Sequence, residues 1–427
     1  MKPLIRDICS LADRKYDLLV VGGGIFGICA AWDAALRGLS VALIEKKDFS
    51  HATSANHLKM VHGGIRYLQH FDIPRIRESS FERSALLRIA PHMVQPLPIV
   101  IPTYGYGLKG KWFLGSGMII YDILTMDRNR ALAPERSIPW GKYISRDSVL
   151  KLFPGIKKEG LTGAAVFCDG QMYNPPRLAI SFLRSAVNKG AVAANYVEAV
   201  GFKREKNLIN GIEAVDKITG RYFEVHAKCV LNAAGPWSHR FLAKSLGIQI
   251  DPPPTFSRDL AFVINRQSTN HHAIAVSTSA QDADSMIDRG GRHLFIAPWR
   301  NYTLIGVWHS IFRDSPENIT VRKSELEQFV DEVNIAFPGI DLSVNEILTV
   351  NTGLTLYGSE AKQGTDKMSF GKRSILIDHS KDHNIEGIIT LIGVRATTAR
   401  GTAQKAINLV MNKLNMPEKD SATESTP

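Results

Sequence analysis

The chain has 427 residues, with 52 Lys and Arg against 41 Asp and Glu, a net charge of +11 and four cysteines. This length exceeds one hydrophobic core, which rarely grows beyond about 250–300 residues, so two domains are expected. No basic run with interleaved aromatic residues occurs, so nucleic acid is not a predicted partner, and the positive charge indicates an anionic substrate, an anionic cofactor or a membrane surface.

The N-terminal part of the sequence predicts a β-α-β unit. Residues 16–21, YDLLVV, have the pattern of a short apolar strand, GGGIFG follows, and ICAAWDAALRG predicts a helix that ends at Gly38. SVALIEKKD predicts a second buried strand. Farther along, a helix is predicted to start near Asn174, and three strand patterns separated by polar turns predict a β-meander.

The later part of the sequence is richer in strand patterns. Strands are predicted between Pro252 and Ile311, RKSELEQFVDEVNIAF predicts an amphipathic helix, and a Thr pair opens the last predicted helix. The polar tail, residues 416–427, is predicted to be disordered. These patterns predict an α/β fold in which a Rossmann-like dinucleotide-binding domain (15–95, 150–240 and 350–415) is interleaved with a β-rich, antiparallel substrate domain (96–149 and 241–349).

The glycine-rich turn after the first strand carries a dinucleotide fingerprint. Gly22, Gly24 and Gly27 stand in the G-x-G-x-x-G frame, and Glu45 closes the next strand. The first glycine permits the turn, the second lets a pyrophosphate approach the backbone, and the third lets helix and strand pack, while the acid binds a ribose hydroxyl. This pattern predicts FAD or NAD and does not choose between them.

Three segments far apart in the sequence carry a resemblance to a known family. They are HATSANHLKMVHGGIRYL after the second strand, LNAAGPW at the end of the meander and LIGVRATTAR near the C-terminus. With the fingerprint, they resemble the FAD-dependent glycerol-3-phosphate dehydrogenases, within the glycine and D-amino-acid oxidase superfamily. The resemblance covers roughly residues 15–415 and implies FAD as the cofactor of the Rossmann-like domain.

The resemblance also implies which residues contact FAD. Thr53 and Ser54 would contact its pyrophosphate side, and Gly63 and Gly64 would let the backbone lie against the flat ring, because glycine lacks Cβ. Val197 would pair with adenine through its backbone, although a buried strand residue explains this valine equally well. The remaining implied contacts are Ala234, Gly235, Gly393 and, at the start of the last helix, Thr397 and Thr398.

The implied reaction is hydride transfer from a C–H next to a hydroxyl group to flavin N5, with quinone or oxygen as the electron acceptor. Arg66, Tyr67 and Arg292 would face the substrate, and Arg395 stands where the family has a lysine. His62 is the best-placed proton acceptor in the sequence. Cationic groups would stabilise the negative charge that develops on the substrate oxygen.

The substrate segments depart from the family pattern. Thr355 takes the place of an arginine that binds the substrate phosphate, Ala261 replaces a histidine, and Val307–Ser310 replaces a run of two threonines and an aspartate. The predicted substrate is still a small anionic hydroxy compound, with glycerol 3-phosphate as the first candidate. Two alternatives stay open: an amine or amino-acid oxidase of the same superfamily, and a flavin-binding protein without catalysis.

The predicted location is cytoplasmic, or peripheral on the inner face of a membrane. The N-terminus lacks the apolar block of a signal peptide, no window approaches the ~18 apolar residues of a membrane span, and the cysteines are too widely scattered for a metal or redox site. The segment Tyr104–Leu124 combines Lys109, Lys111, Trp112 and Phe113 with a following apolar run, the composition of an interfacial anchor. A core helix with a basic entrance is an equally good interpretation.

Overall fold

The computed structural model describes residues 3–105, 110–281, 291–357 and 373–426, apart from the side chains at positions 111, 113, 279–281 and 291–292. The strands of this part of the chain are β1 (Lys15–Val21), β2 (Val41–Ile44), β3 (Met60–Val61), β4 (Val94–Tyr104), β5 (Lys142–Ser145), β6 (Leu161–Met172), β7 (Val192–Ala194), β8 (Val197–Glu205), β9 (Leu208–Asp216), β10 (Tyr222–Asn232), β11 (Thr255–Ile264), β12 (Ala273–Gln281), β13 (Gly291–Trp299), β14 (Tyr302–Phe312), β15 (Ile347–Tyr357), β16 (Ile375–Asp378) and β17 (Ile388–Ile392).

The α-helices of the described residues are α1 (Ile8–Asp13), α2 (Ile25–Arg37), α3 (Ile73–Ile89), α4 (Lys111–Leu124), α5 (Arg146–Leu152), α6 (Pro175–Asn188), α7 (Ser238–Leu246), α8 (Lys323–Ala336), α9 (His379–Asp382) and α10 (Ala399–Lys413). None of them is long and apolar enough to cross a bilayer. The helices predicted near Asn174, in the amphipathic segment and after the Thr pair are present as α6, α8 and α10.

The first sheet has the strand order β16-β17-β10-β1-β2-β7, and β9 and β8 extend it from β10 as the predicted meander. Strands β7, β2, β1, β10 and β17 run parallel. Helix α2 is apolar on nearly all sides because it lies between this sheet and helices α6 and α10, where Trp32 stacks on Phe182. This arrangement brings the carboxyl ends of the parallel strands together at one edge.

The second sheet has the order β15-β11-β14-β13-β12-β4-β6-β3, with β5 beside β6. Its pairs are antiparallel as predicted, except that β12 and β4 run parallel. The predicted domain boundaries differ from the sheets in three places, because β3, β6 and β15 pair with the second sheet and not with the first. Cross-strand burial explains this: Val166 and Leu161 pack in the core of the second sheet, beside helix α8.

The C-terminal tail differs from the predicted disorder. Ser421 donates a hydrogen bond to Asp33 at 2.6 Å, and Thr423, which is fully buried, accepts one from Arg400 at 2.9 Å. The backbone carbonyl of Glu424 also accepts from Arg88. The tail is polar in composition, but its hydroxyl groups form hydrogen bonds with the buried charged side chains of Asp33 on α2 and Arg400 on α10. The described residues 416–426 therefore pack on the domain.

Candidate active site

A cavity of about 1850 Å³ lies between the two sheets, at the carboxyl ends of β1, β2, β10 and β17. This is the place where open α/β sheets bind ligands, and the volume exceeds the ~300–1,000 Å³ of an ordinary small-molecule pocket. The predicted site residues that line it are Gly22, Gly24, Glu45, Thr53, Ser54, His62, Gly64, Arg66, Tyr67, Val197, Ala234, Gly235, Gly393, Arg395 and Thr397. Most of the predicted residues are thus brought to one cavity.

The glycine-rich turn has the geometry that its three glycines predict. Gly22 has a φ of +111°, and a Cβ on it would lie 2.5 Å from the Ala233 carbonyl oxygen. A Cβ on Gly27 would lie 2.0 Å from the Gly22 carbonyl oxygen, so this glycine packs helix against strand and does not face the cavity. Gly24 is the N-cap of α2, and a Cβ there would meet only the Ser54 hydroxyl oxygen, at 3.2 Å. The cavity therefore reaches the N-terminus of α2 through Gly24.

Glu45 follows the last residue of β2 and is buried against the turn. One carboxylate oxygen accepts a hydrogen bond from the Gly23 amide at 2.7 Å, and the other accepts from the Lys47 amide at 2.9 Å. These two bonds hold the carboxylate at the cavity wall, where its remaining acceptor positions can bind the hydroxyls of a ribose. The predicted role of Glu45 is consistent with this position.

Thr53 and Ser54 have different partners. The Ser54 hydroxyl accepts a hydrogen bond from the Ile25 amide at 2.9 Å, at the N-terminus of α2. The Thr53 hydroxyl both donates to the carbonyl and accepts from the amide of Leu354, each at 3.0 Å. The Thr53 side chain therefore ties its segment to β15, and the expected contact of its hydroxyl with the cofactor gains no support from these bonds.

The two glycines of the HGG segment (His62, Gly63 and Gly64) have different surroundings. A Cβ on Gly63 would lie 2.2 Å from the Arg83 guanidinium and 2.2 Å from the Tyr121 hydroxyl, and Gly63 is not among the lining residues. Gly64 does line the cavity and has a φ of +85°, a conformation that favours glycine. The missing side chain of Gly63 makes room for Arg83, and the contact of its backbone with the flavin ring stays a prediction.

A buried ion pair beneath this segment was missed in the sequence. Asp169 accepts hydrogen bonds from Arg83 at 2.7 Å and from the Gly63 amide at 2.6 Å, and the Tyr121 hydroxyl donates to the Gly63 carbonyl at 3.0 Å. Both charged side chains are almost fully buried. The available signal was the single aspartate within the apolar run AAVFCDG, because an acid inside a buried strand requires a partner.

His62 is surrounded by positive charge. Burial, together with the charges of Arg395, Arg83 and Arg66, lowers the pKa of His62 to about 3. The imidazole is therefore uncharged near neutral pH and can accept a hydrogen bond, but it binds a proton weakly. Its backbone amide donates to the Thr397 hydroxyl at 3.2 Å, which fixes the HGG segment to the start of the last helix.

Tyr67 and Arg395 form a second polar contact at the same end of the cavity. The Arg395 guanidinium donates a hydrogen bond to the Tyr67 hydroxyl and lies over its ring, 5.0 Å from the centroid. Arg75 lies 4.6 Å from the centroid of the same ring and pairs with Asp72 at 2.6 Å. The Nε of Arg395 is buried without a hydrogen-bond partner among the described residues. Arg66, Arg75 and Arg395, which all line the cavity here, define what we call its arginine-rich end.

The other predicted residues are placed as follows. The Val197 amide donates to the Glu45 carbonyl at 2.8 Å, so any backbone pairing with adenine would have to use the Val197 carbonyl. A Cβ on Gly393 would lie 2.1 Å from the Phe26 ring, which explains that glycine. Thr398 does not line the cavity; its hydroxyl donates to the Arg395 carbonyl at 3.3 Å. Arg292 belongs to β13, and its side chain lies outside the described residues.

Three further residues line the cavity on the second sheet, and the sequence did not identify them as a group. Asp259 on β11 lies directly across from His309 on β14. The His309 Nδ1 is 2.7 Å from one oxygen of Asp259, and the Thr355 hydroxyl donates to the other oxygen at 2.7 Å. We call Asp259, His309 and Thr355 the β-wall cluster. The Thr355 position, where the family has an arginine, therefore faces a carboxylate.

A sequence profile described as FAD dependent oxidoreductase (DAO) matches residues 17–367, most of the chain. The chain belongs to the FAD-dependent oxidoreductase family. This oxidoreductase is 32% identical, over 99% of its length, to glycerol-3-phosphate dehydrogenase of Synechocystis and covers 75% of that relative. It is 30% identical to the human mitochondrial glycerol-3-phosphate dehydrogenase, covering 96% of this chain and 54% of the relative.

Solved structures of this family share the fold of the oxidoreductase. Glycerol-3-phosphate dehydrogenase from Bacillus halodurans, complexed with FAD, superimposes with a TM-score of 0.72 at 22% identity, covering 97% of this chain and 68% of that one. Glycine oxidase from Bacillus cereus superimposes with a TM-score of 0.64 at 18% identity, covering 93% and 96%. The predicted interleaving of a Rossmann-like domain with a β-rich domain is thereby confirmed.

The cofactor of this oxidoreductase is FAD, and the cavity fits it. Gly24 lines the cavity at the N-terminus of α2, and a helix N-terminus favours a pyrophosphate. Glu45 lines one part of the cavity and His62 and Gly393 line another, so one continuous space connects Glu45 to the arginine-rich end. The sequence prediction of a dinucleotide site, and its choice of FAD, are confirmed.

Proposed function

We propose that this oxidoreductase oxidises a small hydroxy compound of the glycerol 3-phosphate type at the arginine-rich end of the cavity. Bound FAD supplies a two-electron oxidant that accepts hydride from a substrate carbon. The observation that carries the proposal is the placing of Arg66 and Arg395 beside an uncharged His62 in the lining of one cavity. The relatives of this chain are named for glycerol 3-phosphate, which makes it the first candidate.

The residues have separate roles in this proposal. Glu45 binds the ribose, Gly24 and Ser54 border the pyrophosphate, and Gly64 and Gly393 border the flavin ring. At the flavin end, Ala234, Gly235 and the helix start at Thr397 complete the wall, and the positive end of that helix favours negative charge on the reduced ring. These assignments rest on the lining of the cavity and on the resemblance of the segments.

His62 accepts a hydrogen bond from the reacting hydroxyl group in this proposal. Its low pKa, which follows from burial and from three neighbouring arginines, keeps the imidazole uncharged and able to accept that bond. The hydroxyl proton passes along this bond to the His62 imidazole as hydride leaves the carbon, and Arg66 and Arg395, which line the cavity, stabilise the negative charge that develops on the substrate oxygen. Tyr67 holds the guanidinium of Arg395 in place through its hydroxyl and its ring.

Anaerobic bleaching of the bound flavin tests the proposed function. We expect glycerol 3-phosphate to bleach the flavin absorbance band at about 450 nm far faster than glycerol does, because the arginine-rich end binds the anion. Faster bleaching by an amine or an amino acid would replace the proposal with C–N oxidation. FAD that no alcohol or amine reduces would indicate a flavin-binding protein without catalysis.

Arg395→Ala is expected to raise KM at least tenfold and to leave the FAD content unchanged. The loss of one charge-assisted hydrogen bond to an anion costs about 1.5–3 kcal/mol, and the side chain contacts Tyr67 and not the FAD segments at α2. Steady-state kinetics and flavin absorbance measure the two quantities. Arg177→Ala, at an exposed arginine on α6, is the matched control, and an equal KM in both variants would contradict the role of Arg395.

We also propose that α4 rests on a membrane surface. Trp112, Ile119 and Ile123 on this helix are 82%, 60% and 52% exposed, whereas Met118 and Tyr121 are buried, so one face of the helix is apolar and uncovered within the described residues. An uncovered apolar face is typical of interfacial helices. Lys109 lies outside the described residues, as do the side chains of Lys111 and Phe113, so their predicted contribution stays a prediction.

Flotation with anionic liposomes tests this surface. Ile119→Gln/Ile123→Gln is expected to move most of the protein to the unbound fraction, because these two side chains, one helical turn apart, would lose the apolar contact with lipid. Ile218→Gln is the matched control, since Ile218 is 64% exposed on a turn of the first sheet. Equal flotation of the wild type and both variants would reject the anchor.

A further inference from the structure

The β-wall cluster is built around a carboxylate that only accepts hydrogen bonds. One oxygen of Asp259 accepts from the Ser257 hydroxyl and contacts the His309 Nδ1, each at 2.7 Å, and the other accepts from the Thr355 hydroxyl at 2.7 Å. An ionised carboxylate has about four acceptor positions, so the oxygen facing Thr355 keeps one for a further donor. Asp259, His309 and Thr355 all line the cavity.

The charge of this cluster cannot become positive. The carboxylate carries one negative charge, and His309 adds one positive charge at most, so the pair is either negative or neutral. The hydrogen of the Thr355 hydroxyl points to Asp259 and is not offered to a ligand. Hydrogen bonds from Ser257 and Thr355 and the charge of His309 outweigh burial and hold the pKa of Asp259 below its usual value, so the carboxylate stays ionised at neutral pH.

The opposite charge lies at another part of the same cavity. Arg395 and Arg66 line the arginine-rich end, and the Arg395 Nε has no hydrogen-bond partner among the described residues although it is buried. A buried guanidinium N–H without a partner is a donor suited to an anionic ligand. The lining of this one cavity therefore contains both cationic donors and the acceptor Asp259.

We propose that the β-wall cluster selects substrates that are anionic at one end only and bear an uncharged hydroxyl group at the other. The anion binds at Arg395 and Arg66, and the distal hydroxyl donates to the open acceptor position of Asp259. A carboxylate or a second phosphate at that end is rejected by repulsion from Asp259. Thr355 and His309 position the carboxylate. This inference rests on the proposed function and names the substrate class of the same site.

The test compares two ligands of equal chain length. Glycerol 3-phosphate ends in a hydroxymethyl group, and 3-phosphoglycerate ends in a carboxylate. Both are titrated by calorimetry into the holoenzyme under anaerobic conditions after reduction with dithionite, so that neither is oxidised during the measurement. We expect the wild type to bind glycerol 3-phosphate at least tenfold more tightly than 3-phosphoglycerate, because only the latter places a negative charge against Asp259.

Asp259→Asn keeps the size of the side chain and removes its charge. The ratio of the two dissociation constants is expected to fall at least fivefold, mainly through tighter binding of 3-phosphoglycerate. Thr355→Arg, which would place a guanidinium against Asp259, is expected to change the ratio in the same direction. Asp147→Asn makes the same charge change at an exposed residue of α5 that does not line the cavity, and it should leave the ratio unchanged.

The outcomes separate the two proposals. An unchanged ratio in a folded, FAD-loaded Asp259→Asn variant would overturn the selection by Asp259, and so would equal tightening of both ligands, since the phosphate itself would then bind at the β-wall cluster. Wild-type protein that binds neither ligand, while other hydroxy compounds bleach its flavin, would overturn this inference alone. If no hydroxy compound bleaches the flavin, the proposed function fails and the inference falls with it.

Discussion

Gly24→Val is expected to abolish FAD binding while the chain stays folded. A Cβ at this position meets only the Ser54 hydroxyl oxygen, at 3.2 Å, so the protein has room for it. The branched side chain would occupy the approach of the pyrophosphate to the N-terminus of α2, where the ligand must lie against the backbone. Flavin absorbance of the purified variant after incubation with excess FAD measures the loss, and circular dichroism confirms the fold.

Gly27→Ala provides the contrast in the same turn. A Cβ on Gly27 would lie 2.0 Å from the backbone oxygen of Gly22, which cannot move away as the end of a flexible side chain could. This variant should therefore lose stability itself, and its FAD loss should follow its unfolding. If Gly24→Val kept a full complement of FAD, the placing of the pyrophosphate at α2 would be wrong.

Asp169→Asn is expected to lower the free energy of unfolding by about 3–5 kcal/mol. The change leaves the buried Arg83 guanidinium without its counter-charge, and removing one partner of a buried ion pair costs this much. It also weakens the hydrogen bond from the Gly63 amide, which holds the HGG segment, and with it His62, in place. Urea unfolding at a fixed excess of FAD measures the change, because bound ligand also contributes to stability.

A second ion pair of the same type provides the control. Arg77 and Asp127 are 2.6 Å apart, but both side chains are about half exposed, so Asp127→Asn should cost less than about 1 kcal/mol. The double variant Asp169→Asn/Arg83→Met should recover part of the lost stability, since an apolar side chain needs no counter-charge. Equal small effects of Asp169→Asn and Asp127→Asn would contradict the structural importance of the buried pair.

The features that sequence reasoning predicted correctly are those that neighbouring residues specify. The turn around Gly24 follows directly on β1 and opens α2, and Glu45 follows β2, so the whole dinucleotide fingerprint lies in one short segment. The β-meander was predictable because its strands alternate in polarity and are joined by short turns. The choice of FAD required the resemblance of distant segments, since the fingerprint alone fits NAD equally well.

Other features depend on contacts between residues far apart in the chain. Gly63 was assigned to the flavin, but its missing side chain accommodates Arg83, which pairs with Asp169 from β6. The tail, polar in composition, is ordered by Asp33 and Arg400. In each case a buried charged side chain is paired with a residue from a distant segment. The hydrophobic periodicity of one segment cannot predict which distant residue supplies that partner.

The β-wall cluster is the clearest instance of this dependence. Asp259 stands 50 residues from His309 and 96 residues from Thr355, and the family segments that contain Thr355 and His309 do not indicate that the two side chains meet at Asp259. Their meeting follows from the antiparallel pairing of β14 and β15 with β11, which sets His309 across from Asp259 and Thr355 across from Ser257. Local sequence is sufficient to form the glycine-rich turn, whereas the register of three strands creates the polar wall of the cavity.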